Sequence, residues 1–441
     1  MTDAAKNFIE TYERERNALP GASLGWLAIR RDAALKAFAD AGLPHRRLED
    51  WRYTDLRQAL EKASLAPAPG HQAAALLPDA SRASVAAFAG IERHVIVFVN
   101  GRLRTDLSKF DLPDSVTLKP LAEALSESWA RELVETRATD AQAANVVALN
   151  TALMHDGMGL HIAAGVKLDA PLHLLFLGAD DGIWHGRNLI RLEEGAEATI
   201  FETHIDAGAK HYFADLVTDV SLAPDARLTC IKVQDEAPTA IHLSTFATRL
   251  EARSNLSNFI MTLGSALSRD QAFIRFDGQG AEAHVNGATA LRGKQHGDQL
   301  CNVDHAVPHC NSHTLFRTVL DESATGVFQG KVIVRPDAQK TDGRQMSNAL
   351  LLSRDAAMNA KPELEIYADD VQCAHGSTIG ELDREALFYL RSRGIDEETA
   401  RQLLISAFLD AAFDTVPHEG ARDALRLLAA SWFRLGEEET A

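Results

Sequence analysis

From about Gly159, for roughly 200 residues, the chain is cut into short apolar pieces separated by Gly, Asp, Asn and Pro. LHLLFLG, NLIRLEEGAEATIFETHIDAG, LVTDVSLAPDARLTCIKV, QAFIRFDGQGAEAHVNGATAL and GVFQGKVIVRPDAQ are examples. Turn signals recur every ~8–12 residues, and few intervals could carry a helix-length apolar stripe. The texture is all-β, and two architectures satisfy it. One is a β-sandwich or barrel; the other is a parallel β-helix whose coils stack into a continuous core. Strand–turn–strand units without hairpin-type turns point towards the β-helix, but pattern alone leaves both open.

Helical sequence lies on either side. Phe8, Ile9 and Tyr12 recur at helical spacing, and a second helix carries Trp26, Leu27, Ala34, Leu35 and Phe38 before Gly42 and Pro44 stop it. EDWRYTDL (Glu49 to Leu56) follows, then an Ala/Pro-rich stretch from Ala63 to Ala89 that reads as a linker. HVIVFVNG reads as a strand ended by Asn100-Gly101, and Leu121 to Leu153 as a helical interlude. Beyond the strands, Asp383 is placed to cap a helix bearing Leu387, Phe388 and Leu390, closed by Gly394. Asp396 caps a second, expected to bury Ala400, Leu403, Leu404, Ala407 and Phe408; a third, after Pro417, aligns Leu425, Leu428, Trp432 and Leu435. The expected division is 1–90 helical with linker, 91–380 strand-rich with a β-helix core from about 159, and 381–441 helical.

The 441 residues carry 62 acidic and 45 basic side chains, a formal charge of -17. That balance, with no basic stripe, speaks against nucleic-acid binding. No run approaches the roughly 18–20 apolar residues of a membrane span. Cys230, Cys301, Cys310 and Cys373 are too sparse for a disulfide framework, so a reducing cytosol is expected.

Several motifs imitate known sites. Gly278, Gly280 and Ala283 mimic a dinucleotide fingerprint, but AEAHVNG follows rather than a helix to hold pyrophosphate. Gly287 to Lys294 mimics a P-loop with one residue too many, and Gln295 stands where a magnesium-binding hydroxyl is required. CNVDHAVPHCNSHT gathers Cys301, His305, His309, Cys310 and His313 without zinc-finger spacing. As strand neighbours, His309 and Cys310 would face opposite ways. In VQCAHGSTIG, by contrast, Val371, Cys373, His375 and Ser377 share one face, with Cys373 and His375 ~6–7 Å apart along it. Thiolate and imidazole are good ligands for iron or zinc, though two cannot complete a tetrahedral site. The plainer reading is a small buried Cys beside a hydrogen-bonded His.

GVFQGKVIVRPDAQKTDGRQMSNALLLS, KPELEIYADDVQCAHGSTIGELDREALFYLRSRGI and EDWRYTDL together resemble the SufB/SufD family of iron–sulfur cluster assembly proteins, on its SufD side. The resemblance implies a right-handed parallel β-helix between helical terminal domains. It also implies a non-catalytic scaffold that pairs with SufB and binds the ATPase SufC, so that no nucleotide is held by this chain itself. SufC would dock on the segment from about Leu382 to Phe408, giving a role to Leu387, Phe388, Tyr389 and Ile395. His375, then Cys373, would serve a transient cluster or iron at the SufB–SufD interface, with a reduced flavin in the assembled complex. The isolated chain could pair with itself through the coil it offers to SufB. The alternative is a stand-alone enzyme, either metal-dependent through Cys301, His305, His309 and His313, or a polysaccharide-acting β-helix.

Overall fold

The computed structural model describes residues 2–63, 66, 87–136, 144–209 and 211–438. Most of the Ala63–Ala89 stretch read as a linker therefore lies outside the described residues. The chain forms a parallel β-solenoid of about 8 turns. Each coil takes roughly 30 residues and gives one strand to each of two facing sheets. Sheet A runs β3 (Val116–Pro120), β4 (Asp156–Ile162), β6 (Gly182–Leu192), β8 (Tyr212–Leu222), β10 (Ile241–Leu250), β12 (Leu267–Phe276), β14 (His296–His305), β16 (Thr325–Val334) and β18 (Ala357–Ile366). Sheet B runs β2 (Arg102–Leu103), β1 (His94–Val99), β5 (Leu172–Gly178), β7 (Glu197–Asp206), β9 (Arg227–Asp235), β11 (Asn255–Thr262), β13 (Glu282–Leu291), β15 (Asn311–Leu320), β17 (Asp342–Leu351) and β19 (Gln372–Gly380). The β-helix expectation holds and the sandwich does not: neighbouring strands from β4 and β5 onward are parallel and in register.

Parallel registration places each inward residue on the one a coil earlier. Ile162, Leu192, Leu222, Leu250, Phe276, His305, Val334 and Ile366 form one such column along sheet A. His305 is the one imidazole in it. It stacks on Phe276 with centroids 4.4 Å apart and pairs its Nε2 with Ser312 Oγ at 2.8 Å. A second column forms the turn from sheet A to sheet B. Gly165, Gly195, Asp225, Arg253, Gly280, His309 and Lys340 all have φ between 58° and 74°. The backbone N–H of His309 donates to Gln339 O, as that of Asp225 does to Ala252 O. His309 is thus a left-handed turn residue, not the strand residue its neighbours suggested.

The helices cover the outer faces of the sheets rather than standing at the ends of the solenoid. On sheet A, α1 (Asp3–Glu15), α2 (Gly25–Ala41), α3 (Leu56–Ala63) and α6 (Ala144–Leu153) bring Phe8, Tyr12, Phe38 and Leu149 into a cluster with Phe213, Leu243 and Phe273. The interlude also contains α4 (Leu121–Ala124) and α5 (Ser128–Glu135). On sheet B, α8 (Glu397–Phe413) and α9 (Glu419–Glu438) pack Ile405, Leu409, Phe413, Leu425, Leu428 and Trp432 against Phe201, Phe259 and Val319. The side chain of Leu435 is not among those described.

One clip ties the N-terminal helices down. In EDWRYTDL, Glu49–Trp51 makes a 3₁₀ turn that lays the Trp51 ring under the Arg269 guanidinium, 3.9 Å from its centroid. Arg269 is fully buried, donates to Asp50 O at 2.7 Å and pairs with buried Asp298, which also accepts from Thr54 Oγ1. Gln329 Nε2 donates to the same Asp50 carbonyl at 2.9 Å.

Two tests follow from this packing. Arg269→Met leaves the Asp298 carboxylate buried without its cation, so the unfolding free energy should fall by about 3 kcal/mol in urea titration. An unchanged midpoint would show that the clip does not hold the layers together. Burial also pushes the imidazoles of His155, His173 and His305 down from 6.5 to about 3, 3 and 4. Below pH 6.5 the unfolded chain therefore binds protons that the folded chain refuses, and stability falls as pH falls towards 4. Between about pH 7.5 and about pH 5.5 each should cost about 1 kcal/mol, before carboxylates contribute; a flat profile over that interval would contradict the burial.

Candidate functional site

The two ends of the solenoid differ. At the N-terminal end the last strands, β3 and β2, run antiparallel to their neighbours β4 and β1 and so break the parallel register of the coils. At the other end β18 and β19 are the last strands, and among the described residues no strand pairs with their outer edges. Ile366, Tyr367 and Ile379 are exposed there. Edges of this kind are templates for another chain.

On β19, Cys373 pairs with Gly343 of β17 and His375 with Gln345. Gly343, Gln345 and Ser347 face the buried lumen, so Cys373, His375 and Ser377 line its open mouth on one face, as the alternation requires. A Cβ at Gly343 would press on a Val332 methyl at 3.2 Å and would stand in ordinary contact, 3.5 Å, with Cys373 Sγ. Cys373 is half-buried against the core, whereas His375 is exposed. Burial pushes the Cys373 thiol up and nearby Asp342 adds to this, while the Gly343 backbone pulls it partly back. The thiolate therefore needs a metal or a cationic neighbour to form near neutrality. Facing them across the mouth, β18 offers Ala360, Pro362 and Leu364, none of them a soft donor. Two donors are on hand, and the rest of any coordination set has to come from elsewhere.

β19 runs almost directly into α7 (Arg384–Ser392). The Asp383 side chain caps it, accepting from the backbone N–H of Glu385 at 2.8 Å and of Ala386 at 3.2 Å. No residue of α7 is buried. Phe388 and Tyr389 are 74% and 57% exposed, and Leu387 and Ile395 half-buried. α8 corrects the expected stripe. Its buried residues are Ala400, Ile405, Leu409, Ala412 and Phe413, whereas Leu403 is 48% exposed, Ala407 is exposed, and Leu404 and Phe408 are half-buried. Apolar residues occur nearly all round this helix, so contact with β13 and β15, not periodicity, chose the buried face.

The cysteine–histidine run does not converge. Cys301 faces the lumen and touches Thr314, Cys310 directs its Sγ at Gly278 O, and His313 lies outside sheet B beside His284. With His305 in the core column and His309 in the turn, no shared site results. Gly278 lies in a turn so close to Ala252 that a Cβ would fall 2.0 Å from its nitrogen, and Gly287 lies within β13. Both near-motifs are thus strand and turn positions.

Sequence reading missed a buried polar cluster in the middle coils. Glu202 and His204 on β7, Lys232 and Gln234 on β9, His242 and Ser244 on β10 and Asp270 on β12 all take inward positions, and Glu236 follows β9. The signal was the alternation of ionisable residues within strands otherwise buried, and only the coil register shows that they meet. Among the described residues no helix is long and apolar enough to cross a membrane.

Comparison with known proteins assigns nearly the whole chain to one family. Residues 175–408 match the family model described as SUF system FeS cluster assembly, SufBD core domain, and residues 2–174 match the SufBD protein N-terminal region. An iron–sulfur cluster assembly SufBD family protein of Synechocystis is 32% identical over 94% of this chain and 92% of its own. The iron–sulfur cluster assembly protein SufD of Escherichia coli is 28% identical, over 88% and 89% of the two chains. A chloroplastic protein of Arabidopsis thaliana, ABCI7, is 26% identical over 95% and 88%. The chain belongs to the SufBD family of the SUF iron–sulfur cluster assembly system.

Proposed function

We propose that this chain is a SufD-like scaffold subunit that pairs with SufB through its open coil and binds the ATPase SufC through α7 and α8. The observation that carries this reading is the placement of Cys373 and His375 at the unpaired mouth of the solenoid. A second solenoid seated on β18 and β19 would satisfy their edges and bring its own donors to the same place. The cargo, iron or a nascent cluster, would then be held by donors of both chains, with His375 the more accessible here and Cys373 deprotonated on binding. A reduced flavin in the assembled complex is assigned no residue of this chain. In isolation the same edges allow self-pairing. The proposed compartment is the cytosol, where the sparse cysteines stay reduced.

The proposed docking surface has Phe388, Tyr389 and Leu403 as its exposed anchors, with Leu387 and Ile395 half-buried beneath them. Aromatic anchors of this kind dominate interface energetics. On this reading nucleotide chemistry is supplied by the partner and the chain itself holds none.

Reconstituting the three-subunit complex with His375→Ala should lower cluster yield at least about tenfold while co-elution is unchanged; equal yield would remove His375 from the site. Phe388→Asp with Tyr389→Asp should weaken retention of the ATPase by about 2 kcal/mol or more, with the melting temperature of the isolated chain preserved. Full retention by that folded variant would place docking elsewhere.

A further inference from the structure

We propose that His204, Glu236 and His242 form a binding site for one divalent transition-metal ion inside the solenoid. The three residues are buried, and one ligand atom from each lies within 4.8 Å of the other two. Donors around a bound ion at about 2.0–2.2 Å stand closer than that, so a small side-chain adjustment closes the set. The site is independent of the cluster-assembly reading and lies several coils from the open mouth.

The strongest sign is the direction of one nitrogen. His242 Nδ1 is 2.7 Å from Glu236 Oε2, yet it has no aligned hydrogen-bond partner, although His242 is fully buried. In a hydrogen bond the oxygen lies along the ring N–H axis. When both atoms bind one ion, that axis points at the ion and the oxygen stands to the side.

The surroundings are those of a metal-binding histidine pair. Glu202 Oε1 accepts from His204 Nε2 at 2.6 Å, which leaves the other ring nitrogen its lone pair, and the His204 ring lies flat on Phe176 with centroids 4.5 Å apart. Such carboxylate contacts orient metal-bound imidazoles. Gln234 Nε2 holds Glu236 Oε2 at 2.9 Å. Lys232 Nζ contacts His242 Nε2, Ser244 Oγ and Asp270 Oδ1, each at 2.8 Å. On metal binding it keeps the serine and the aspartate and releases Nε2, which then carries the ring proton.

Charge balance points the same way. Among the described residues the cluster sets three carboxylates, Glu202, Glu236 and Asp270, against Lys232. A divalent cation bound by neutral imidazoles would balance the two remaining negative charges, where an unbalanced buried charge is costly. Two imidazoles and a carboxylate without thiolate suit Fe²⁺ or Zn²⁺. A cavity of about 60 Å³, lined by Glu202, Lys232, Ser244, Asp270 and Gln299 among others, lies on the side of the polar groups that surround the three ligands.

The test uses the full chain, expressed alone in medium supplemented with Zn²⁺ or Co²⁺, desalted and analysed by elemental mass spectrometry. About one equivalent should be retained, with Co²⁺ giving the visible bands of a low-symmetry site. His242→Gln and Glu236→Gln should each lower retention at least about tenfold. The Cys373→Ser/His375→Ala double variant should retain the metal, separating this site from the open mouth. Should the cluster variants fail to fold, the wild type decides: chelator treatment should lower its melting temperature and added Zn²⁺ restore it. Retention below about a tenth of an equivalent, or loss only in the double variant, overturns the proposal.

Discussion

Parallel, in-register stacking constrains this molecule more than any single contact. Once a coil is set, each inward position of the next must tolerate the side chain directly beneath it. A mismatch cannot be moved to another face without shifting a whole strand. The column from Ile162 to Ile366 meets the demand with branched aliphatics and Phe276. His305 enters because Phe276 offers a ring to stack on and Ser312 a hydroxyl to bond. The left-handed turn column repeats the same logic in the backbone, with glycine at some levels and Asp225, Arg253, His309 or Lys340 at others. Helix packing is secondary to this: each terminal segment covers an outer face that the coils have already built.

Much of the architecture could be read from the residues. The strand–turn texture limited the fold to two choices, and family resemblance to the SufB/SufD proteins selected one. Helix ends at Gly42, Asp383 and Gly394 were marked by caps and stops, because those signals are local. The face of α8 was not legible, since its apolar residues surround the helix and the choice depends on sheet B. Nor was the placement of the helices over the sheets, which is a tertiary matter throughout.

At the candidate site, alternation alone correctly put Cys373, His375 and Ser377 on one face. It could not show that this face opens at the mouth of a lumen, because that depends on where the stack of coils stops. The run from Cys301 to His313 misled for a related reason. Proximity in sequence says little in a solenoid, where true neighbours are one coil apart: His313 meets His284, not His309. The converse holds for His204, Glu236 and His242, which come from separate elements of the chain and are adjacent in space.

The unlike ends of the solenoid also bear on growth. A stack whose two ends continue the same parallel register offers an equivalent edge each time a copy is added and can lengthen without bound. Here the antiparallel strands β2 and β3 break that register at one end, so only the end formed by β18 and β19 presents strands that continue it. Two copies joined through β18 and β19 would carry the broken register at both outer ends. A fold built from the same stacking that drives fibres thus offers one end, not two, that repeats its own pattern.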